Sequence, residues 1–202
     1  MVSKTRDKLI EVARQLFANK GIENTTMSDI ANASDKGRRT IYTYFKNKRE
    51  IYNAVLERES ERLVTEMRTL AQSDLPPVEK VREFILARAK VVKANEEASM
   101  TEKLRSLFNM DMNRIERIRK LALVKENEIL QSILEQGVRT GSFDSRQARR
   151  FPSTLVIVME GLYYSYVKNN FENIGLQPQG IEDKIADFLV NGLISKKQNQ
   201  GQ

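Results

Sequence analysis

The sequence predicts an all-α protein: an N-terminal three-helix domain containing a helix-turn-helix, then a larger helical domain. Three observations predict it. Apolar residues recur at helical spacing along the chain, with no sustained alternating strand pattern and no internal repeat. Two short helices separated by a tight turn stand within residues 25–48, TTMSDIANASDKGRRTIYTYFKNK. The pair Pro76 and Pro77 restarts the helical pattern, because proline can begin a helix but not continue one. The domain boundary is expected between residues 47 and 48, giving domains 1–47 and 48–202.

The first helix carries Leu9, Ile10, Ala13, Leu16 and Phe17 on one stripe and ends at Gly21, a residue suited to the left-handed position after a helix. Thr26 followed by Asp29 is a capping box that starts the second helix, whose apolar face begins with Ile30 and Ala31. Ser34, Asp35, Lys36 and Gly37 break it. The third helix, from about Arg38 to Phe45, buries Ile41, Tyr44 and Phe45 and leaves Arg38, Arg39, Thr40, Thr43 and Lys46 outward. Such a motif lays its second helix in the DNA major groove, with that helix's N-terminal residues nearest the base edges.

Asn47 with Glu50 caps a long fourth helix running to about Ala71, with Ile51, Ala54, Val55, Leu63, Met67 and Leu70 inward. After Pro77 comes a helix marked by Val81, Phe84, Ile85, Val91 and Val92. A shorter helix over about 98–110 and a long one over about 113–139 follow, the latter stopping at Thr140 and Gly141. Asp144 or Ser145 starts the next segment, in which Pro152 marks a kink or a fresh first turn. Its run Leu155 to Met159 is apolar on every side, and a helix of that kind needs partners on two faces. Gly175, Pro178 and Gly180 separate it from a last helix marked by Ile181, Ile185, Phe188, Leu189 and Leu193.

Composition removes whole classes of chemistry. The 202 residues contain neither cysteine nor histidine, which excludes disulfides, thiol nucleophiles, imidazole bases and the usual zinc sites. No active-site motif stands among the remaining residue types, so neither catalysis, a metal nor a cofactor is expected. No stretch of about 18 apolar residues appears and the N-terminus is polar, which points to a cytoplasmic chain without a membrane span. Residues 1–50 hold 11 Lys and Arg against 6 Asp and Glu, so +5 of the chain's +7 lies with the helix-turn-helix. A basic excess placed there favours the phosphate backbone and makes binding salt-dependent.

The helix TRDKLIEVARQLFANKG, the TTM start, the Ile30–Ala31 pair, the run TIYTYF and the closing KNK strongly resemble the DNA-binding domain of TetR-type (TetR/AcrR) transcriptional regulators, over roughly residues 5–56. Two departures stand out. Asp35 occupies the turn position where the family usually has glycine, and Gly37 and Arg39 stand where it usually has serine and glycine. The resemblance implies that Tyr42 and Lys48 meet phosphates and that Thr25 and Thr26 present a helix N-terminus to phosphate. Thr40 is a candidate for a thymine methyl or a phosphate. Arg38 and Arg39 are candidates for guanine edges, where a bidentate arginine contributes about 1 to 3 kcal/mol of discrimination, or for phosphates alone. With Lys46 these complete the expected DNA-binding set.

For the second domain the resemblance implies a small-molecule effector site and dimerisation through the last two long helices. Phe84, Arg88, Met100, Leu104, Phe108 and Met112 are candidate lining residues, with ordinary core as the competing assignment. Arg88 falls on an apolar stripe and Glu160 interrupts an apolar run, so each orients a polar ligand or pairs with a structural partner. Leu155, Met159, Leu162, Tyr163, Tyr166, Ile185, Phe188 and Leu189 are candidates for a twofold interface or for the core of one subunit, and Gly161 and Gly192 permit close helix approach. The expected protein is a homodimeric repressor that binds a double-stranded operator with an inverted repeat and is released by a ligand. The alternative is a DNA-associated protein of the same fold without small-molecule control.

Overall fold

The computed structural model describes residues 4–97 and 112–194, apart from 169, 172 and 174. Eight helices occupy most of the described residues: α1 (Lys4–Lys20), α2 (Met27–Ala33), α3 (Arg38–Tyr44), α4 (Lys48–Gln72), α5 (Pro77–Glu97), α6 (Met112–Arg139), α7 (Ser145–Val167) and α8 (Ile181–Leu193). Their starts and stops follow the capping logic of the sequence. Gly21 closes α1 at φ 78° and Gly141 follows α6 at φ 76°, the left-handed conformation that costs glycine nothing. The Asn47 carboxamide oxygen accepts from Glu50 N at 3.0 Å at the head of α4, and Pro77 is the first residue of α5. The expected helix over about 98–110 lies outside the described residues.

Two compact units are present. The first contains residues 4–62 with 112–122. Its core joins Leu9, Ile10 and Ala13 of α1, Ile30 and Ala31 of α2, Ile41 of α3 and Phe45 just beyond it, and Ile51, Ala54 and Val55 of α4. This corrects the expected boundary after residue 47. The first turns of α4 bury three apolar residues in the N-terminal core and belong to that unit.

The second unit contains residues 63–97 and 123–194. Helix α5 packs on α7 and α8, which pack on each other. Asp144 caps α7 by accepting from Arg146 N and Gln147 N, both at 2.9 Å, and Asp144 N donates to Leu193 O at 2.9 Å, tying the start of α7 to the end of α8. Pro152 lies inside a continuous α7 and is not a fresh first turn. Lys80, 2% exposed, is the largest of the fully buried side chains; its Nζ donates to Ala71 O at 2.8 Å and Gln136 Oε1 at 3.1 Å. On the outside of the unit Arg82 bonds Asp183 at 2.7 Å and Asp187 at 2.9 Å, linking α5 to α8.

The run 155–159 resolves into two faces. Leu155, Met159, Leu162 and Tyr166 point into the unit, where Tyr166 donates to the Glu182 carboxylate. Leu189 of α8 is buried as well. All five are buried within one chain: the four of α7 share one helical stripe, and Leu189 lies on the inward face of α8. Tyr163 and Ile185 are half-buried. The opposite faces hold Ile157, 72% exposed, with Tyr164 on α7 and Phe188, 80% exposed, on α8.

Gly137 marks a close approach. A Cβ built there would stand 2.0 Å from Phe143 Cδ2 and 2.2 Å from Cε2, and Phe143 is itself buried with its N–H donating to Gly137 O at 3.1 Å. Overpacking of this kind costs about 1 to 3 kcal/mol, against a helix-propensity gain of about 1 kcal/mol for alanine over glycine. Gly137→Ala is therefore expected to lower the midpoint of urea unfolding; an unchanged or raised midpoint would contradict this packing.

Candidate nucleic-acid interface

Residues 25–48 hold two helices and the turn between them in one arrangement through a series of local bonds. Thr26 Oγ1 accepts from Asp29 N at 3.1 Å while the Asp29 carboxylate accepts from Thr26 N at 2.8 Å, completing the capping box. The backbone N–H of Thr26, with its hydroxyl, holds the Asp29 carboxyl below its ordinary pKa. At the far end of α2 the buried Ser34 hydroxyl donates to Ile30 O at 2.6 Å, and Lys36 N donates to Ala31 O at 2.9 Å. Asp35 sits between them at φ 56°, the left-handed conformation that aspartate adopts more readily than most residues.

Helix α3 starts after Gly37, which is extended and supplies no side-chain cap. Ile41 is fully buried and Phe45 nearly so, and Tyr44 packs at the margin of the same core. With Ile41 inward, Arg38, Arg39, Tyr42, Thr43 and Lys46 are exposed and Thr40 is half-buried. The Thr43 hydroxyl donates back to Arg39 O at 3.1 Å. Arg38, Arg39, Tyr42 and Lys46 thus share the solvent face of one short helix and its exit, while the opposite face is locked in the core. A face with two guanidiniums, a phenol and an ammonium donates hydrogen bonds to base-edge acceptors and to phosphates.

Two expected DNA contacts point elsewhere. Thr25 is completely buried and its hydroxyl donates to Gly21 O at 2.8 Å, so this side chain secures the end of α1. Thr26 is exposed, but its hydroxyl is engaged with Asp29. The Lys48 ammonium turns back to the loop before α2, where it donates to Ile22 O at 2.6 Å, Thr25 O at 2.7 Å and Glu23 O at 3.2 Å. Burial there pushes its pKa below the ordinary lysine value.

A model of bacterial regulatory proteins of the tetR family matches residues 9–55, the segment that carries this geometry. The tetR match covers this N-terminal segment and not the rest of the chain. Proteins similar to the chain over most of its length are named as transcriptional regulators. The "Probable acrEF/envCD operon repressor" of Escherichia coli (strain K12) is 28% identical, over 98% of this chain and 92% of that protein. The "HTH-type transcriptional regulator AcrR" of Shigella flexneri is 26% identical, over 90% of this chain and 83% of the relative. Among solved structures, a transcriptional regulator from Cytophaga hutchinsonii ATCC 33406 shares the fold at a TM-score of 0.70, with 21% identity over 94% of this chain and 98% of that one. Among the described residues no helix is long and apolar enough to cross a membrane, and no cluster of three or more acidic residues is placed to hold a metal ion.

The second unit holds the other candidate site. Phe84 and Arg88 come together on α5, beside Leu123, Glu126, Asn127 and Leu130 of α6 and Pro152, Leu155, Val156, Met159 and Glu160 of α7. Met100, Leu104 and Phe108 lie outside the described residues, as does the side chain of Met112. The cleft between these side chains has a volume of about 40 Å³, and a wider groove of about 520 Å³ lies between α6 and α7 at Leu134, Val138, Ala148 and Pro152. Arg88 Nε stands 3.3 Å from Glu126 Oε2, so the charge on the apolar stripe has a structural partner. Glu126 was not foreseen, although its position four residues after Ala122 and three before Ile129 puts it on the buried stripe of α6.

Burial raises the pKa of Glu126, and the Arg88 charge opposes that rise. A carboxyl whose folded pKa lies above its unfolded value binds more protons when folded, so stability falls as pH rises through the interval between the two values. Glu126→Gln is expected to remove this decline. The stability difference, variant minus wild type, should grow as pH rises through that interval in urea titrations; a flat or opposite trend would contradict the assignment.

Proposed function

We propose that this chain is a homodimeric repressor that reads an inverted-repeat operator through α3 and is released by a small-molecule effector. The observation that carries the DNA reading is the arrangement of α3: Ile41 and Phe45 inward, Arg38, Arg39, Tyr42 and Lys46 outward. Arg38 and Arg39 stand in the first turn, where side chains reach guanine O6 and N7, while Tyr42 and Lys46 serve phosphates. Repression is the activity named for the Escherichia coli relative.

The dimer reading rests on Ile157, Tyr164 and Phe188, exposed apolar side chains on α7 and α8. Gly161 and Gly192 lie on the same two helices with nothing within 4 Å of a built Cβ, so a second copy has room to approach. Twofold pairing through these helices would set two α3 helices about one DNA turn (~34 Å) apart, or a near multiple, and impose an inverted repeat on the site. The effector would enter beside Phe84, Arg88 and Glu126 and favour a state in which α4 has shifted and the two α3 helices are out of register. It can do so only by binding the two states with different affinities.

Selection of binding sites from random duplex DNA by the wild-type protein, repeated with Arg38→Ala and Arg39→Ala, tests this reading. An inverted repeat is expected, its guanine preference relaxed in at least one variant; sequence-blind, salt-sensitive binding would overturn the operator model. Sedimentation of Ile157→Asp and Phe188→Asp is expected to show monomers with weakened operator binding. Dimers undisturbed by both would place the interface elsewhere.

A further inference from the structure

The helix-turn-helix is attached to the rest of the chain at two places: residues 21–26, which lead from α1 into α2, and residues 45–48, which lead from α3 into α4. Lys48 joins those two places. It is the first residue of α4, and its Nζ reaches back 26, 25 and 23 residues to the carbonyls of Ile22, Glu23 and Thr25. An ammonium has three N–H donors, and here three carbonyl oxygens lie at 2.6 to 3.2 Å from it. Charge-assisted bonds of this kind are stronger than bonds between neutral groups. A DNA phosphate would have to displace these carbonyls to reach this lysine.

The neighbouring bonds continue the closure. Thr25, whose carbonyl Lys48 holds, anchors its own hydroxyl on Gly21 O, and the next residue, Thr26, opens the capping box of α2. On the other side, Glu50 accepts from Lys46 N at 2.8 Å, fixing the strand of chain that leaves α3. The side chain of Lys46 is exposed.

We propose that Lys48 is a positioning residue for DNA binding and not a phosphate contact: it closes residues 22–48 into a ring and so fixes both ends of the helix-turn-helix to the first turn of α4. Any tilt of α4 then carries the entry to α2 and the exit from α3 together. Lys46, two residues earlier, is the phosphate ligand at this end of the motif. This rests on α3 being the helix that reads DNA.

The test uses the wild-type protein, acylated with an amine-reactive ester free and bound to mixed-sequence duplex DNA at low salt, with modified lysines quantified by mass spectrometry. Lys46 should react in the free protein and be protected by the duplex, while Lys48 reacts slowly in both. A Lys48 that reacts as readily as Lys46 and is protected by DNA overturns the proposal alone. Absence of protection at Lys46 overturns the reading of α3 and the proposal with it.

Lys48→Met gives an independent measurement, made well below its melting transition, where a contact that serves only stability leaves Kd unchanged. The variant is expected to bind duplex about tenfold more weakly. Its log–log salt dependence should match wild type, whereas Lys46→Met should flatten the slope by about 0.9. An unchanged Kd, or a slope lowered by about 0.9 in Lys48→Met, contradicts the positioning role. If the variant does not fold, the acylation pattern of the wild-type protein decides.

Discussion

The burial of Ile41 decides the functional orientation of this protein. One isoleucine on a seven-residue helix, fully enclosed with Leu9, Ile30 and Ile51, fixes which side of α3 faces out. Successive residues on a helix are about 100° apart, so a slip of one position would bring Thr40 or Tyr42 toward the core. Burying a side chain of this size contributes about 1.5 to 3 kcal/mol, which far exceeds what a short helix gains from propensity alone. The basic face is therefore held by apolar packing behind it. The charged residues that would meet DNA contribute nothing needed for that packing, which leaves them free to vary with the site they read.

Charges elsewhere have a different role. Lys48 and Lys80 both donate to backbone carbonyls, the first at the head of α4 and the second in its last turn at Ala71. A buried ammonium is costly unless its donors are met, and the negative end of a helix is a favourable place for it. Each lysine therefore has a narrow set of acceptable positions, and α4 is fixed at both ends by groups that tolerate little displacement. The Arg88–Glu126 pair behaves similarly in the second unit. Its desolvation is not recovered as large net stability, but removal of one partner would leave the other charge poorly solvated.

Much of the first unit was legible in the sequence because its signals are local. The capping box at Thr26 and Asp29, Gly21 after α1, the left-handed Asp35 and the Asn47 cap each depend on residues within a few positions of one another. The family resemblance lay in the same short stretch. The bonds of Lys48 reach across more than twenty residues and left no trace in periodicity, so the resemblance alone spoke for that side chain and implied a phosphate contact. In α7 the difficulty was of another kind: where Leu155 to Met159 are all apolar, spacing carries no contrast, and which stripe faces inward depends on α5 and α8. Phe188, named among the interface candidates, is exposed on α8, and Ile157 and Tyr164, which were not named, are exposed on the outer face of α7.

The central claim is that two copies of α3 read guanines from the major groove on one side of a duplex. Guanine N7 methylation interference on the selected duplex tests it most directly, because N7 lies in that groove and carries no phosphate contact. The account predicts two clusters of interfering guanines, related by the inverted repeat and centred about one helical turn (~34 Å) or a near multiple apart. Tight binding that no methylated guanine disturbs would contradict it.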